Sequence, residues 1–293
     1  MKPTAFEYDD PRTADEALAL LAQYGDDAKA LAGGQSLVPL MNFRLARPGR
    51  LVDLNLIAAL SHLRVEAGAL RIGAMTRQRE IERSPLVAAG WPLLAEATAL
   101  IGHAQIRNRG TVGGSLAHAD PAAELPAVMA ALDAEFVVRG AGGERTVPAT
   151  EFFLGYLTTA LAPDELLVEI RVPALPPRTG GAFVEVSRRH GDFALVGVAA
   201  LVTLDADGVI SAARLAFTGA APTPLRAARA EARLVGERPA EPLFREAGLL
   251  ASADLEPEDD LHASAAYRRE VGGVLARRAL VQAAARAGRD ARG

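Results

Sequence analysis

Apolar residues recur at helical spacing early in the chain, with Ala17, Leu18, Leu20, Leu21 and Tyr24 on one face between Thr13 and Gly25. Thr13 followed three residues later by Glu16 is a capping-box sequence, in which each side chain satisfies a backbone N–H of the other residue. A helix is therefore predicted to start at Thr13 and stop at Gly25. A short apolar run over 28–31 predicts a strand, Ser36 a cap for a short helix through Leu37, Leu40 and Met41, and residues 51–54 a second strand after Pro48. The pattern then changes to short strands at 63–65 and 70–73 around Ala67 and Gly68. Helix starts are predicted at Thr76 and at Ser84-Pro85, the latter with proline in the first helical position. Residues 101–109 carry few signals. A helix beginning at Asp120-Pro121 and running through Val128, Met129 and Leu132, then a strand over 136–139, complete this half.

Residues 173–181 interrupt all regular structure with Pro173, Pro176, Pro177, Gly180 and Gly181, and mark a domain boundary. Strands follow at 182–187, 196–204 and 210–217, the last two joined by Asp205-Ala206-Asp207-Gly208, a hairpin sequence. Helices are predicted at 223–235, 243–253 and 264–287, with Arg268, Arg269, Arg277 and Arg278 on a solvated face and frayed residues over 289–293. The expected fold class is α+β, with a small antiparallel sheet packed on helices at the C-terminal end.

Composition narrows the chemistry. A chain of 293 residues, half of them hydrophobic, can bury two or three cores. A net charge of −4 gives no electrostatic reason to expect nucleic acid. No apolar stretch is long enough to span a bilayer and no signal-peptide pattern opens the chain, so no membrane insertion and a cytoplasmic location are expected. The chain has no cysteine. Disulfides, thiolate nucleophiles and cysteine-ligated metal or iron–sulfur centres therefore cannot reside in it. A redox role would need an organic cofactor or a partner's metal.

Two double-glycine segments about eighty residues apart carry the strongest chemical signal: Ala32-Gly33-Gly34-Gln35-Ser36 and Thr111-Val112-Gly113-Gly114-Ser115. Each joins an apolar run to a helix, so each can form a tight loop whose bare N–H groups face an anion. Tight turns alone would explain the glycines but not the polar residues beside them. Neither Gly-x-Gly-x-x-Gly nor Gly-Lys-Ser/Thr is present, which removes the dinucleotide fingerprint and the P-loop. A pyrophosphate held from two sides suits the pair.

With their flanks, 32–44 and 107–126, these segments resemble the medium, FAD-binding subunits of the molybdenum hydroxylases, such as those of CO dehydrogenase and bacterial xanthine dehydrogenase. Further matching strings are Arg44-Leu-Ala-Arg-Pro48, Thr158-Thr-Ala-Leu161, Asp164-Glu-Leu-Leu-Val168 and Ser187-Arg-Arg-His-Gly-Asp-Phe-Ala-Leu195. The resemblance covers essentially the whole chain. It implies a two-subdomain FAD-binding fold of the vanillyl-alcohol-oxidase type over 1–175, with subdomains about 1–56 and 57–175, and a C-terminal domain over 179–288. It also implies that Ala32, Gly33, Gly34, Gln35 and Ser36, with Thr111, Gly113, Gly114 and Ser115, cradle the FAD diphosphate and adjoining sugar groups. Glu124 would accept hydrogen bonds from the cofactor, Asp120 in the same loop being a weaker candidate. Leu167 would lie near the adenine or ribityl side, and Phe193 against the isoalloxazine ring.

Three positions depart from the family pattern: Ser115 where Asn is commoner, Phe193 where Tyr is frequent, and Glu185 where some members carry lysine. His118 with Asp120 is read as a hydrogen-bonded loop and not as a metal pair. His62, His103, His190 and His262 are read as structural or surface residues. Arg107 and Arg109 suit phosphate contact on one side and loop bracing or docking of a partner chain on the other equally. The implied function is the flavoprotein subunit of a heteromeric molybdenum hydroxylase. Its partners would be an iron–sulfur small subunit and a molybdopterin-binding large subunit, as a dimer of heterotrimers, with NAD, oxygen or a quinone as acceptor. A stand-alone FAD-dependent oxidoreductase and a non-catalytic FAD-binding assembly module remain as alternatives.

Overall fold

The structure, a computed structural model, describes residues 1–289. The predicted fraying at 290–293 lies outside the described residues, whereas Arg289 is the last residue of a helix. The chain opens with a three-stranded parallel sheet in the order Glu7–Asp9, Arg50–Asp53, Ala28–Leu31. Helix Ala14–Tyr24 buries Ala17, Leu18 and Leu21 against it, in a cluster with Val52. Its capping box is present: Thr13 Oγ1 accepts from Glu16 N, and Glu16 Oε2 accepts from Thr13 N, both at 3.2 Å. The polar strand Glu7–Asp9 has no apolar alternation to reveal it. It is held by pairing with Arg50–Asp53 and by the Tyr8 hydroxyl on Asp53.

A five-stranded antiparallel sheet follows, in the order Leu63–Glu66, Ala69–Gly73, Leu166–Val172, Glu135–Gly140, Gly143–Pro148. Ala67 and Gly68 both take positive φ at the first hairpin, as a two-residue turn requires. The central strand arrives about a hundred residues after its neighbour Ala69–Gly73. Helices Pro92–Leu100, Val112–His118 and Glu124–Ala131 share the core behind this sheet, where Phe136 and Phe152 meet edge to face at 4.7 Å.

The C-terminal sheet is antiparallel, in the order Thr179–Ser187, Ala194–Leu204, Ile210–Thr218, Leu225–Arg226. It is covered on both faces. Val196, Val198, Ala200 and Val202 belong to the C-terminal core with helices Glu241–Asp254 and Ala265–Arg289, while Ala199 and Leu201 belong to the core of the first half. Burial on both sides explains why residues 194–202 carry no polar side chain. The expected hairpin turn forms, with Asp205 Oδ1 accepting from Asp207 N and Val209 N and Gly208 at φ +77°.

Several local expectations are corrected. Asp120-Pro121 does not start a helix: Asp120 Oδ1 accepts from Ala122 N in a turn, and the helix begins at Glu124. Ser36 makes no capping hydrogen bond. Thr76 is turned inward to donate to His62 O, so the helix starts at Gln78. Residues 104–109 form a short helix, and the helix expected over 223–235 is confined to Ala228–Leu234 because Leu225–Arg226 pairs with the sheet. Arg268 is not solvated. It is 6% exposed, bonds Leu195 O and pairs with Asp260 at 2.6 Å.

Candidate cofactor-binding site

The first glycine segment leaves strand Ala28–Leu31 and enters helix Leu37–Asn42. Gly34 sits at φ +73°, in the left-handed region that a side chain disfavours. Gln35 Nε2 donates to Gly33 O at 3.1 Å and fixes the turn. Among the described residues, the backbone N–H groups of Gly33, Gly34, Gln35 and Ser36 have no acceptor within the chain. Neither does the Ser36 hydroxyl have a partner. Consecutive unengaged N–H groups around a left-handed residue make a concave donor set suited to an anion.

The second segment is built otherwise. Thr111 caps helix Val112–His118 by accepting from Gly114 N at 3.0 Å, so Gly113 and Gly114 lie inside the helix. Val112 N donates to Thr76 O, Gly113 N to Ala74 O and Ser115 N to Thr111 O. The expected bare N–H groups are therefore absent here, because a neighbouring loop and the helix cap take them. What these glycines provide is room. A Cβ at Gly113 would stand 2.5 Å from Ala74 Cβ, and one at Gly114 2.6 Å from Thr111 Oγ1 and 3.1 Å from Ala32 Cβ.

The two segments meet directly. A Cβ at Gly33 would collide with the Arg109 carbonyl and stand 2.8 Å from Gly110 Cα. Asn55 Nδ2 donates to Ala32 O at 2.9 Å, Arg77 Nη2 donates to Asn55 Oδ1 at 2.6 Å, and Arg77 Nη1 donates to Arg109 O. A side-chain chain thus clips one segment to the other. Burial, with the Arg109 charge beside it, pushes the Arg77 pKa below its ordinary value. Arg107 is 8% exposed and binds Glu82 through two bonds of 2.8 and 3.1 Å, with Nη1 on the carbonyls of Ile101 and Gly102. Its guanidinium holds the Glu82 carboxyl below the usual range. Arg107 is therefore a brace for the approach to the second segment, while the Arg109 side chain is exposed.

The remaining candidates are carried by other elements. Glu124, at the start of its helix, is 3% exposed, and burial first, then the Glu185 charge, push its pKa up to about 8. Asp120 is half-buried in the intervening turn. Leu167 is 5% exposed, its side chain in the core of the first half, while the adjacent Val168 O accepts from Ala74 N behind Gly113. Phe193, 61% exposed, belongs to the loop over 188–193. That loop rests on His103, where a Cβ at Gly191 would stand 2.6 Å from Nδ1. Burial lowers the His118 pKa, and the described residues hold no group of three His, Asp or Glu that could bind a metal. A cleft of about 710 Å³ lies on Arg77, Arg79, Arg83 and Asn108, and no residue of either glycine segment lines it.

Asn55 and Arg77 went unread in the sequence. Neither stands in a motif, and each acquires its role only when strands distant in sequence are packed together. The one available signal was the turn after Asp53, where Asn55 N and Nδ2 both donate to Asp53 Oδ1.

Four unengaged N–H donors, a free hydroxyl and a backbone kept clear of Cβ atoms suit a diphosphate. A site that holds a cofactor instead of presenting catalytic side chains defines the class of FAD-binding oxidoreductase subunits. Residues 4–175 match the family described as the FAD binding domain in molybdopterin dehydrogenase, and residues 181–283 match the CO dehydrogenase flavoprotein C-terminal domain. The chain belongs to this family of molybdenum hydroxylase medium subunits, and its cofactor is FAD. It is 45% identical to the 6-hydroxypseudooxynicotine dehydrogenase complex subunit alpha of Paenarthrobacter nicotinovorans, over 98% of this chain and 97% of that one. The solved CO dehydrogenase of Hydrogenophaga pseudoflava superposes with a TM-score of 0.95 at 46% identity, covering 98% and 99% of the two chains. Quinoline 2-oxidoreductase of Pseudomonas putida 86 gives 0.93 at 39%, over 98% and 99%.

Proposed function

We propose that this chain is the electron-transfer flavoprotein of a heteromeric molybdenum hydroxylase. It takes electrons from iron–sulfur clusters of a small subunit, fed by a molybdopterin-binding large subunit, and passes them through FAD to NAD, oxygen or a quinone. The observation that carries this reading is the glycine turn with four free N–H groups, clipped to a second glycine segment, in a chain without cysteine. FAD supplies the ability to exchange electrons singly or in pairs. The chain binds and orients it: Gly33, Gly34, Gln35 and Ser36 as donors, Ala32 as the wall against Gly114, and Thr111, Gly113, Gly114 and Ser115 as the close-fitting opposite side. Asp120 and Glu124 stand toward the sugar and flavin polar atoms, Leu167 backs the site, and Phe193 covers one face of the ring. The FAD-binding part is taken as 1–175, in two subdomains about 1–56 and 57–175 of the vanillyl-alcohol-oxidase type, and the C-terminal domain as 179–288.

Rapid-mixing spectroscopy tests this. Flavin bleaching on substrate addition is expected only when the cluster-bearing subunit is present. Full substrate turnover by this chain alone would overturn the proposal and favour a stand-alone enzyme. Such an enzyme would need a base or hydrogen-bonding set over the reacting ring, and the site presents none beyond two acids.

A further inference from the structure

The cleft on Arg77, Arg79 and Arg83 gathers positive charge on a chain whose net charge is −4. Three guanidinium groups line it against one acid, Glu80. The nearest further acid, Glu82, is already engaged. Arg79 Nη1 donates to it at 2.7 Å, and Arg107 Nε and Nη2 donate to it at 2.8 and 3.1 Å. One carboxylate therefore faces two guanidinium groups, and an excess of positive charge remains at the cleft wall. Arg79 and Arg83 stand four residues apart on helix Gln78–Arg83, a like-charged spacing that disfavours the helix. Arg83 is exposed and, among the described residues, has no hydrogen-bond or ion-pair partner, not even Glu80 three residues before it.

Shape adds to charge. A volume of about 710 Å³ matches pockets for organic molecules of nucleotide size and far exceeds what a bare ion fills. Leu63 on strand Leu63–Glu66 and Leu86 on helix Pro85–Gly90 give the cleft apolar walls. Guanidinium forks match carboxylate and phosphate alike. A single carboxylate, however, brings one charge and leaves the excess unmatched, whereas a diphosphate puts two or more charges into one compact group.

We propose that this cleft is a second anion site, for an organic diphosphate of nucleotide size, with Arg77, Arg79 and Arg83 as its phosphate donors and Leu63 and Leu86 against its organic part. No residue of either glycine segment lines the cleft, so the site is separate from the FAD cradle. Arg77 belongs to both. It lines the cleft, and it donates to Asn55 Oδ1 and Arg109 O in the clip that joins the glycine segments. Burial and the Arg109 charge disfavour its cation, and a diphosphate beside it relieves that repulsion while the clip stays closed. Occupation of the cleft therefore strengthens FAD binding, and FAD strengthens occupation of the cleft by the same factor. This coupling, unlike the site, rests on the assignment of the glycine segments to FAD.

Calorimetric titration of the FAD-loaded full chain with ADP tests the site. Saturable one-to-one binding is expected, with adenosine about tenfold weaker or more and with affinity falling as salt is raised. Arg83→Gln removes no intramolecular bond, so it should leave the unfolding temperature of the ligand-free chain unchanged and weaken ADP about tenfold or more. Ser36→Ala, in the first glycine turn, should leave ADP affinity as in wild type. Absence of saturable binding, adenosine or citrate binding as tightly as ADP, or Arg83→Gln binding ADP like wild type would each overturn the site. So would loss of ADP binding in Ser36→Ala, or displacement of ADP by FAD, since either puts the probe in the cofactor cradle. Saturating ADP should tighten FAD about fivefold or more, and an unchanged FAD affinity would overturn the coupling. A chain that binds ADP in an Arg83-dependent way but holds no FAD would uphold the cleft and overturn the reading of the glycine segments.

Discussion

The two glycine segments share a sequence pattern and differ in what the glycines do. In the first, Gly34 takes a left-handed backbone and four consecutive N–H groups stay unengaged. In the second, both glycines are helical and the N–H groups are consumed by Thr76, Ala74 and Thr111. The first segment supplies donors and, at Gly33, clearance for the Arg109 backbone; the second supplies clearance alone, so that Ala32 and Ala74 can press against it. A double glycine therefore has to be interpreted through its partners. The same two letters serve hydrogen bonding in one place and packing in the other.

Methyl groups added one at a time break this comparison most sharply. Gly113→Ala pushes a methyl into the backbone and side chain of Ala74 in the protein interior. We expect a loss of about 3 kcal/mol or failure to fold, since overpacking against backbone leaves little room to adjust. Gly33→Ala strikes the Arg109–Gly110 backbone at the surface of contact between the segments. It should cost about 1–3 kcal/mol and, by prying the segments apart, most of the FAD affinity. Gly34→Ala meets only the Val38 and Leu31 side chains at 3.2 and 3.4 Å, so its penalty is the left-handed backbone, about 1–2 kcal/mol. Thermal unfolding with FAD titration ranks the three. Equal effects at Gly33 and Gly34 would remove the distinction between clearance and conformation.

The clip between the segments comes next. Arg77→Met would leave Arg109 O and Asn55 Oδ1 without their donor, for a loss of about 1.5–3 kcal/mol. Combined with Asn55→Ala, the two losses should fall short of their sum by about 0.5–3 kcal/mol, because the residues share one bond. Strict additivity in chemical unfolding would show that Arg77 acts elsewhere.

The parts of this site that were legible in the sequence depend on short-range rules. The capping box at Thr13, the Asp205 hairpin and both glycine segments each occupy a few consecutive residues, and each forms as a unit. What escaped notice depends on distant chain. Leu166–Val172 inserts between Ala69–Gly73 and Glu135–Gly140, and nothing local signals that insertion. Arg268 stands among arginines on a helix and looks solvated until the sheet presents Leu195 O to it. The N–H groups of the second glycine segment looked free because their acceptors, Thr76 O and Ala74 O, lie about forty residues earlier. Asp120-Pro121 misled for the opposite reason: its strong local turn is real but ends before the helix starts.

The smallest effects separate the two hydroxyls at equivalent positions. Thr111 and Ser36 each sit at the entry to a helix, yet only Thr111 caps, with Oγ1 accepting from Gly114 N. Thr111→Val keeps the shape and removes the acceptor, which should cost about 1 kcal/mol. Ser36→Ala removes no intramolecular bond and should leave the unfolding temperature of the FAD-free chain within error. In FAD binding we expect the order to reverse. The Ser36 hydroxyl is free beside the unengaged N–H groups, and losing one donor to a charged phosphate should weaken binding by roughly tenfold, within the range for such bonds. Thr111→Val should act on FAD only through the small loosening of its helix. The crossover is informative because a general destabilisation of the chain would move both measurements in the same direction at both positions. If Ser36→Ala leaves FAD affinity untouched, the first segment does not grip phosphate through that hydroxyl, and its four N–H groups must do so alone.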